Sequence, residues 1–563
     1  MTSHFDYSVW ETIEFPNLQL VSLKDRRTGF IVHTVVPNDQ VQVSALQAYS
    51  GARFSRNPLG TLAIFQEIVD KSIDSEKRLV NIANYGHASV AEMTGFIPIY
   101  VDNTPDSIAV LIFNESSFGS GQHGSTRYIN FGDITPVELR DYLDADREYA
   151  SLPIDIFTQT NGEYLFVNSK FIEYQKRIND LFNSWYTKIY DAFSHHFQVD
   201  LSDKKQVDAL EARTLDTVRA FLPKGLFLKT NFLWMTQARE WSRIIAFLTA
   251  RENPHQRYLG EQIKALLAPL ATDIEGLGYN PEISGILKYT EADERFGSSF
   301  SKLREFADRN NLKRYLIPGF ETIKAQEVDL LCQSNLISQG EMVAIQSLHY
   351  LDPTAAPFQL LYFIRTLNDA QKLELSHIIY GGFDCYNQMG NNAKTGGLSF
   401  HLTVAHSEMR DFVRHRVWGR WVPQVYNEQN YFDSHNAGYI LAEYLNLPEF
   451  YDLKLDFMKD VESVITLRDE FTDLVRDIDW FPHFVLFQMD LFCTATCLWM
   501  HGSPKDVSYM TDRRRRPGGQ INYRIVASDM AQLVSQSEPL LAGLAISSPR
   551  PDPNSREEFL DRS

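Results

Sequence analysis

The chain has 563 residues, of which 44% are hydrophobic and 22% charged, a balance typical of a water-soluble globular protein with room for more than one domain. Its net charge of −18 argues against a protein that coats nucleic acid polymers or anionic membranes. Any basic cluster must therefore act locally.

The cysteines and the apolar runs indicate the cellular compartment in which the protein works. The four cysteines form no CxxC pair, which favours a reducing, cytoplasmic setting over a disulfide framework. The N-terminal sequence MTSHFDYSVWETIEF lacks the basic and apolar regions of a secretion signal. The longest apolar run, Phe484–Met500, contains Gln488 and Asp490, so we expect a buried helix and no membrane span.

The stretch before residue 276 predicts strands followed by helices. LQLVSL, TGFIVHTVV, GFIPIYV and SIAVLIF are typical of strands, and GSGQHG at 119–124 is typical of a glycine-rich loop. Helical periodicity dominates from 165 to 275. Residues 276–325 mix glycine, proline, asparagine and charged residues, and we place a domain junction there.

After the junction the order of elements repeats. EVDLL and Phe400–Val404 predict strands, while GEMVAIQSLHYL and Ser407–Trp418 predict helices. Helical patterns dominate again from 436 to 540. The repeated order predicts two diverged copies of one α+β unit.

The resulting prediction is an α+β fold with two tandem units, at 1–300 and 326–545, each a mixed sheet flanked by helices. Residues 301–325 would form the linker. The polar, proline-containing tail at 546–563 predicts disorder.

One cationic cluster stands out in the second unit. Arg414, His415 and Arg416 place two permanently charged guanidinium groups beside a titratable ring, and Arg410 lies one helical turn earlier. Such a cluster suits a polyanion such as a dinucleotide pyrophosphate.

The glycine-rich loop at 119–124 matches GxGxxG, but the following segment is strand-like, which argues against a Rossmann site. A loop that lets the backbone approach a ligand fits better. Ser125 and Arg127, directly after it, predict a phosphate grip, with a surface turn as the equal alternative.

Two further groups remain open between a functional and a structural role. His87, Ser89 and Glu92 lie near a predicted helix start, where a capped helix is the alternative. Arg219, Arg239 and Arg251 lie in or near apolar helical stretches, where an anionic ligand and a carboxylate partner are the open alternatives. The run Arg513–Arg516 is typical of a solvated basic turn, with local nucleotide binding as the functional alternative.

Taken in order, these segments resemble the flavin-dependent thymidylate synthases. GHASVAEM, STRY, VRAFLP, TNFLWMTQAR and FLTAREN match the family's series in the first unit, and FHLTVAHSEMRDFVRHR matches its RHR strand and helix in the second. The first unit reads LIFNESS where the family has RHR. The second carries Gln424 where a serine is usual and lacks the GH…E stretch, so each unit keeps what the other lacks.

The resemblance implies an FAD-dependent enzyme that methylates dUMP to dTMP with 5,10-methylenetetrahydrofolate and NADPH. In that family reduced flavin carries the hydride chemistry, so no cysteine nucleophile is required. It further implies a homodimer forming a pseudo-tetramer with half of its sites degenerate. The alternatives are C5 one-carbon transfer to another pyrimidine nucleotide, and a non-catalytic flavin- or nucleotide-binding homologue.

The roles implied by the resemblance fall on named residues. Catalytic roles fall on Ser125 and Arg251. Substrate binding falls on Ser125, Arg127, Arg219, Arg251 and Arg514, and cofactor binding on Arg414, His415, Arg416, His87, Ser89, Glu92 and Arg239. No metal site is expected.

Overall fold

The structure is a computed structural model. It describes residues 7–15, 18–25, 31–37, 97–116, 118–123, 131–132, 136–139, 161–225, 230–251, 253–267, 290–292, 326–332, 337–349, 357–380, 397–413, 415, 418–421, 438–478, 480–481, 483–545 and 549–561. The statements that follow concern these residues.

The first sheet has six strands in the order β1-β2-β3-β4-β6-β5. The strands are β1 (Tyr7–Phe15), β2 (Leu18–Asp25), β3 (Ile31–Pro37), β4 (Ile97–Thr104), β5 (Gly119–His123) and β6 (Thr230–Thr236). The strands predicted within LQLVSL, TGFIVHTVV and GFIPIYV are confirmed, since β-branched residues favour a pleated surface.

The second sheet has four strands in the order β7-β8-β10-β9. They are β7 (Glu327–Cys332), β8 (Leu398–Ala405), β9 (Gly419–Trp421) and β10 (Ala495–Gly502). In β8, Leu398, Phe400 and Leu402 are buried and the residues between them are partly exposed, so this part of the strand turns one face to the core.

The α+β class is confirmed, but the described strand pairs of both sheets are antiparallel, so the predicted mixed sheets are wrong for this part of the chain. The strands β1, β2 and β3 form a meander through short connections, which join antiparallel neighbours.

The helices before the junction are α1 (Asp106–Glu115), α2 (Asn161–His196), α3 (Lys204–Val218), α4 (Ala238–Thr249) and α5 (Pro254–Leu267). The predicted strand SIAVLIF is wrong, because it lies inside α1. Ile108–Phe113 is buried throughout, and a fully buried run carries no periodicity that separates a helix from a strand.

The helices after the junction are α6 (Gln339–His349), α7 (Pro357–Thr366), α8 (Asp369–Tyr380), α9 (His406–Phe412), α10 (Tyr451–Val475), α11 (Phe484–Met489), α12 (Pro504–Arg515), α13 (Ile521–Ser537) and α14 (Arg556–Leu560). Helix α12 begins with a capping box between Ser503 and Asp506. Among the described helices, none combines the length and the apolarity needed to cross a bilayer.

Three helix predictions needed correction. The helical stretch predicted from 165 to 275 is interrupted by strand β6, Thr230–Thr236. The helix predicted for Ser407–Trp418 ends at Phe412. The single buried helix predicted for Phe484–Met500 is instead α11 followed by β10. The break follows from backbone pairing, since the amide of Phe492 donates to Leu222 O at 2.7 Å and Lys224 N donates to Asp490 O at 2.7 Å.

The two sheets share one order of connection. Strands β3-β4-β6-β5 and β7-β8-β10-β9 follow the same path. A helix follows β4 and β8, namely α1 and α9, and a helix pair follows β6 and β10. Position by position, α1 is therefore topologically equivalent to α9, and α4 to α12.

Both hydrophobic cores draw on both predicted units. One contains Val101, Trp234, Phe400 and Met500, and the other contains Trp185, Phe221, Phe457 and Phe492. The boundary at 301–325 lies outside the described residues. Each of these two clusters therefore contains residues from 1–300 and from 326–545.

The long helices α2 and α10 run antiparallel between the units. Trp185 packs edge-on against Phe457 with ring centroids 4.8 Å apart, and Phe171 lies 5.9 Å from Phe471. Trp185 Nε1 also donates to Asp460 at 2.9 Å. Aromatic pairs of this kind contribute free energy beyond their buried area.

The predicted disordered tail is wrong for 549–561. Phe559 is 1% exposed and stacks on Phe197 with ring centroids 3.8 Å apart. The buried Arg213 of α3 donates to Phe559 O at 3.3 Å, to Asp561 O at 3.0 Å and to Gly519 O at 2.8 Å. One buried aromatic ring and one guanidinium clamp fix a segment whose composition alone suggested disorder.

Candidate functional site

The structure brings together two of the predicted site residues, His415 and Arg514. His415 lies in the turn after α9, and Arg514 lies in the last turn of α12. Arg514 Nε donates to His415 Nε2 at 2.6 Å, and its guanidinium lies 5.3 Å from the centre of the Tyr523 ring. His415 Nε2 is therefore the acceptor in this pair and holds Arg514 in place.

The turn after α9 is rich in hydrogen-bond donors. Arg420 donates to Val413 O at the end of the helix, which suits a cation at a helix C-terminus. Trp418 is 3% exposed, and its Nε1 has no acceptor among the described residues. Guanidinium and indole donors suit phosphate oxygens. This donor chemistry fits an anionic group such as the pyrophosphate of FAD.

Arg219 is buried between carboxylates. It follows α3 in a short 3₁₀ turn, Arg219–Phe221, and is 2% exposed. Its Nη1 lies 3.6 Å from Asp216 Oδ1, and its Nη2 lies 3.6 Å from Glu408 Oε1 of α9. Of the two roles left open by the sequence, the structure places carboxylate partners beside this arginine.

Glu408 is an unusual acid because its side chain is 2% exposed and one carboxylate oxygen accepts two hydrogen bonds. Ser407 Oγ and Gln520 Nε2 both donate to Oε1 at 2.8 Å, while Oε2 accepts no hydrogen bond from the described residues. Burial raises the pKa of Glu408 to about 7, and the positive charge of Arg219 opposes that rise. Glu408 is therefore poised to change its charge near neutral pH.

One path of contacts joins Arg219 to the His415 turn. Gln520 donates to Glu408 and accepts from Tyr523 N at 3.0 Å, so it caps α13. The Tyr523 ring in turn faces Arg514. Three predicted site residues, Arg219, His415 and Arg514, thus lie along one continuous set of contacts.

Two further ionic groups lie where the units meet. Asp490 lies 3.1 Å from Arg468 Nε and 3.3 Å from Lys224 Nζ. Burial lowers the pKa of Lys224, and Asp490 opposes that effect. A buried carboxylate between two cations satisfies charges that would be costly alone.

The second of these groups joins the starts of α1 and α9. Asp106 Oδ1 forms an ion pair with Arg410 Nη2 at 2.8 Å, and Asp106 Oδ2 pairs with His406 Nε2 at 3.2 Å. Burial lowers the pKa of His406 to about 4, against the effect of the Asp106 hydrogen bond, so this histidine is neutral at physiological pH.

Arg239 and Arg251 are not brought together. Arg239 lies exposed in the first turn of α4, and Arg251 follows its end. They are 12 positions apart along α4 and its C-terminal end, about 18 Å along the helix axis. Arg251 is 4% exposed, donates to Gln256 at 3.2 Å and lies 5.4 Å from the Phe247 ring centre.

The remaining predicted site residues lie outside the described residues. They are His87, Ser89, Glu92, Ser125, Arg127, Arg414 and Arg416.

The glycine-rich loop prediction needs correction, because residues 119–123 form strand β5. A Cβ added at Gly119 or Gly121 would lie 2.4 Å from the Trp234 ring. These glycines therefore make room for a tryptophan of the neighbouring strand β6, which removes the basis for a ligand-approach loop at these positions.

Cys493 is not an activated nucleophile. Burial raises the pKa of Cys493 to about 12, so its thiol stays protonated. Sequence reasoning noticed Asp490 inside an apolar run but missed Glu408, Asp106, Lys224 and Gln520. An acid next to an apolar run, as at Asp106 and Asp490, was the signal that could have found part of this set.

No protein-family model matches the chain, and no curated protein matches it. Solved structures of the UMP/dUMP methylase PolB from Streptomyces cacaoi, bound with 5-Br UMP and with 5-Br dUMP, align with 40% of this chain and 96% of that chain. Both alignments have 12% sequence identity and a TM-score of 0.29. An alignment with so low a TM-score assigns neither fold nor function to this chain.

Proposed function

We propose that the chain is a flavin-dependent enzyme that methylates C5 of a pyrimidine nucleotide, with dUMP to dTMP as the reaction. The ordered motifs of the thymidylate synthase resemblance support this proposal. The observation that carries it is the contact between His415, the centre of the RHR sequence, and Arg514, the late arginine of the same motif series. These residues are 99 positions apart, and nothing local requires them to meet.

In this proposal the turn after α9 holds FAD. The resemblance puts Arg514 on the substrate side, but its contact with His415 moves it, in this proposal, to the cofactor side. Arg514, fixed by His415, would bind a phosphate oxygen, together with Arg414 and Arg416 of the RHR sequence. Bound FAD would supply the hydride chemistry, with NADPH as reductant and 5,10-methylenetetrahydrofolate as the one-carbon donor.

The nucleotide would be gripped by residues from the first unit. Ser125 and Arg127 would hold its phosphate, and Arg251 would polarise the uracil carbonyl as charge develops at C5. His87, Ser89, Glu92 and Arg239 would complete the cofactor side.

We further propose that the chain arose by tandem duplication, works in the cytoplasm, and pairs as a homodimer that imitates a tetramer. The shared path of the two sheets supports the duplication.

The test of binding uses purified full-length protein. We expect flavin absorbance after addition of FAD, and Arg514→Ala should weaken FAD binding about tenfold or more, since a charge-assisted hydrogen bond contributes about 1.5–3 kcal/mol. Arg476→Ala is the control, because Arg476 is exposed and pairs with the exposed Asp473. Protein that takes up no FAD contradicts the proposal.

The test of chemistry is tritium release from 5-tritiated dUMP with 5,10-methylenetetrahydrofolate and NADPH. Release that depends on FAD and on Arg514 supports the thymidylate synthase reaction. Release only from another labelled pyrimidine nucleotide would support a related C5 one-carbon transferase.

A second candidate function is a non-catalytic flavin- or nucleotide-binding homologue. The burial of Arg219 between Asp216 and Glu408 favours it, because an arginine paired in this way is not open to a substrate phosphate. Bound FAD without tritium release from any pyrimidine nucleotide tested would support this candidate.

A further inference from the structure

The turn that carries His415 has a topological equivalent in the first unit. Helix α1 occupies the place of α9, and strand β5 that of β9. Glu115 precedes Gly119, the first residue of β5, by the same four positions that separate His415 from Gly419, the first residue of β9. An acid thus stands at the first position and an imidazole at the second.

The charged groups around the two positions differ as the residues themselves do: the first position is more acidic than the second. At the second, Arg514 donates to His415. At the first, Arg243 of α4 donates from Nη2 to Glu115 O at 2.7 Å and from Nη1 to the Glu115 carboxylate at 2.5 Å. Glu240 pairs with the same guanidinium at 2.9 Å. The first position thus holds two carboxylates around one arginine.

The backbone beside Glu115 is closed as well. Ser116 is 0% exposed, and its hydroxyl accepts from Trp234 Nε1 at 3.2 Å. Its carbonyl accepts from Arg420 of β9 at 3.0 Å. The same Arg420 donates to Val413 O, so one side chain ties the ends of α1 and α9 together.

We infer that each chain binds a single FAD, at the His415–Arg514 position, and that Glu115, Glu240 and Arg243 close the equivalent position in the first unit. A phosphate at that position would meet two carboxylates, and the arginine there already makes bidentate, charge-assisted contacts. This inference rests on the proposed function, because it takes FAD as the ligand.

The experiment measures the ratio of bound flavin to protein. Full-length protein is saturated with FAD, freed of excess by gel filtration, and its flavin and protein are quantified. We expect one FAD per chain, and Arg243→Met should leave that ratio at one. Arg514→Ala should reduce FAD affinity about tenfold or more.

Several outcomes would overturn the inference. A ratio of two would show that the first position also binds and would leave the proposed function standing. A ratio of one that falls after Arg243→Met, and is kept after Arg514→Ala, would place the single FAD in the first unit. No bound FAD would remove the proposed function and this inference together. If Arg514→Ala fails to fold, Arg514→Lys keeps the charge but loses the fork geometry, and the same loss of affinity is expected.

Discussion

Two regions join the predicted units, and they do so with different chemistry. The ionic region contains Arg219 with Glu408 and Lys224 with Asp490, all nearly inaccessible to water. The aromatic region packs Phe193, Phe197, Tyr444 and Phe559 around one another. Both regions span hundreds of residues of sequence.

The two regions differ in what they contribute: one mainly stabilises the junction and the other mainly fixes its alignment. Aromatic packing gains free energy from apolar burial and tolerates small displacements. Buried ion pairs cost desolvation, and a single wrong alignment leaves an unpaired charge. We expect the aromatic region to supply much of the stability of the junction, while the ionic region fixes its register.

The largest expected effect comes from breaking the better-paired ionic group. Asp490→Asn leaves Lys224 and Arg468 buried without their carboxylate, and we expect a loss of about 3–5 kcal/mol in the free energy of unfolding. Urea denaturation of the variant and the wild type measures it. A loss below about 1 kcal/mol would mean that water or another acid already compensates these cations.

The next effect tests the aromatic region. Phe559→Ala removes a ring that is 1% exposed and stacked on Phe197, so we expect a loss of about 3 kcal/mol. Phe358→Ala is the matched control, because Phe358 is 77% exposed and should change stability by less than about 0.5 kcal/mol. Equal effects for the two variants would show that the tail does not dock as described.

The third effect depends on pH. Because the folded pKa of Glu408 is raised to about 7 from 4.5, the folded state holds a proton that the unfolded state has lost between those values. Glu408 therefore lowers stability as pH rises through this window. Glu408→Gln removes that term, so the stability of the variant relative to wild type should increase by up to about 3 kcal/mol between pH 5 and pH 8.

Only the difference in unfolding free energy between Glu408→Gln and the wild type reports on Glu408 alone. Burial lowers the pKa of both His255 and His406 to about 4, and these histidines make stability rise with pH between about 4 and 6.5. That contribution is common to variant and wild type. A difference that stays flat with pH would place the ionised form of Glu408 in a better-solvated setting.

The smallest expected effect comes from an exposed ion pair, which serves as a reference for the buried Asp490 group. Asp473 and Arg476 form a 2.8 Å pair in which both side chains are more than half exposed. Asp473→Asn should cost less than about 1 kcal/mol, since exposed ion pairs contribute little. A cost near that of Asp490→Asn would show that burial is not what distinguishes the two pairs.

Sequence patterns predicted the elements that alternate or repeat clearly. The strands at 18–25, 31–37 and 398–405 and the helices at 161–196 and 339–349 followed from period-two and period-3.6 patterns. Helix α1 was missed because it is apolar on all sides. Strand β5 was missed because its glycines serve a distant tryptophan, a requirement that is invisible in the local sequence.

The candidate site also has features that the sequence predicts and features that depend on distant residues. Motif order named His415 and Arg514 separately as site residues, and the contact between them is a finding of the structure. Of the two carboxylates beside Arg219, Asp216 is a local neighbour, but Glu408 could not be predicted, because it lies 189 positions away and only the fold brings it near. Long-range ionic partners leave no periodic trace in a sequence.

The Arg213 clamp has a consequence for how the protein is made. Two of its three carbonyl partners belong to Phe559 and Asp561, and Phe559 is synthesised 346 positions after the arginine. At about 5–20 residues per second, the ribosome delivers that segment roughly 20–70 s later. Until then a cationic side chain and an open aromatic cleft stay exposed on the nascent chain. The aromatic residues that receive Phe559 therefore stay open to water until the end of the chain has been made.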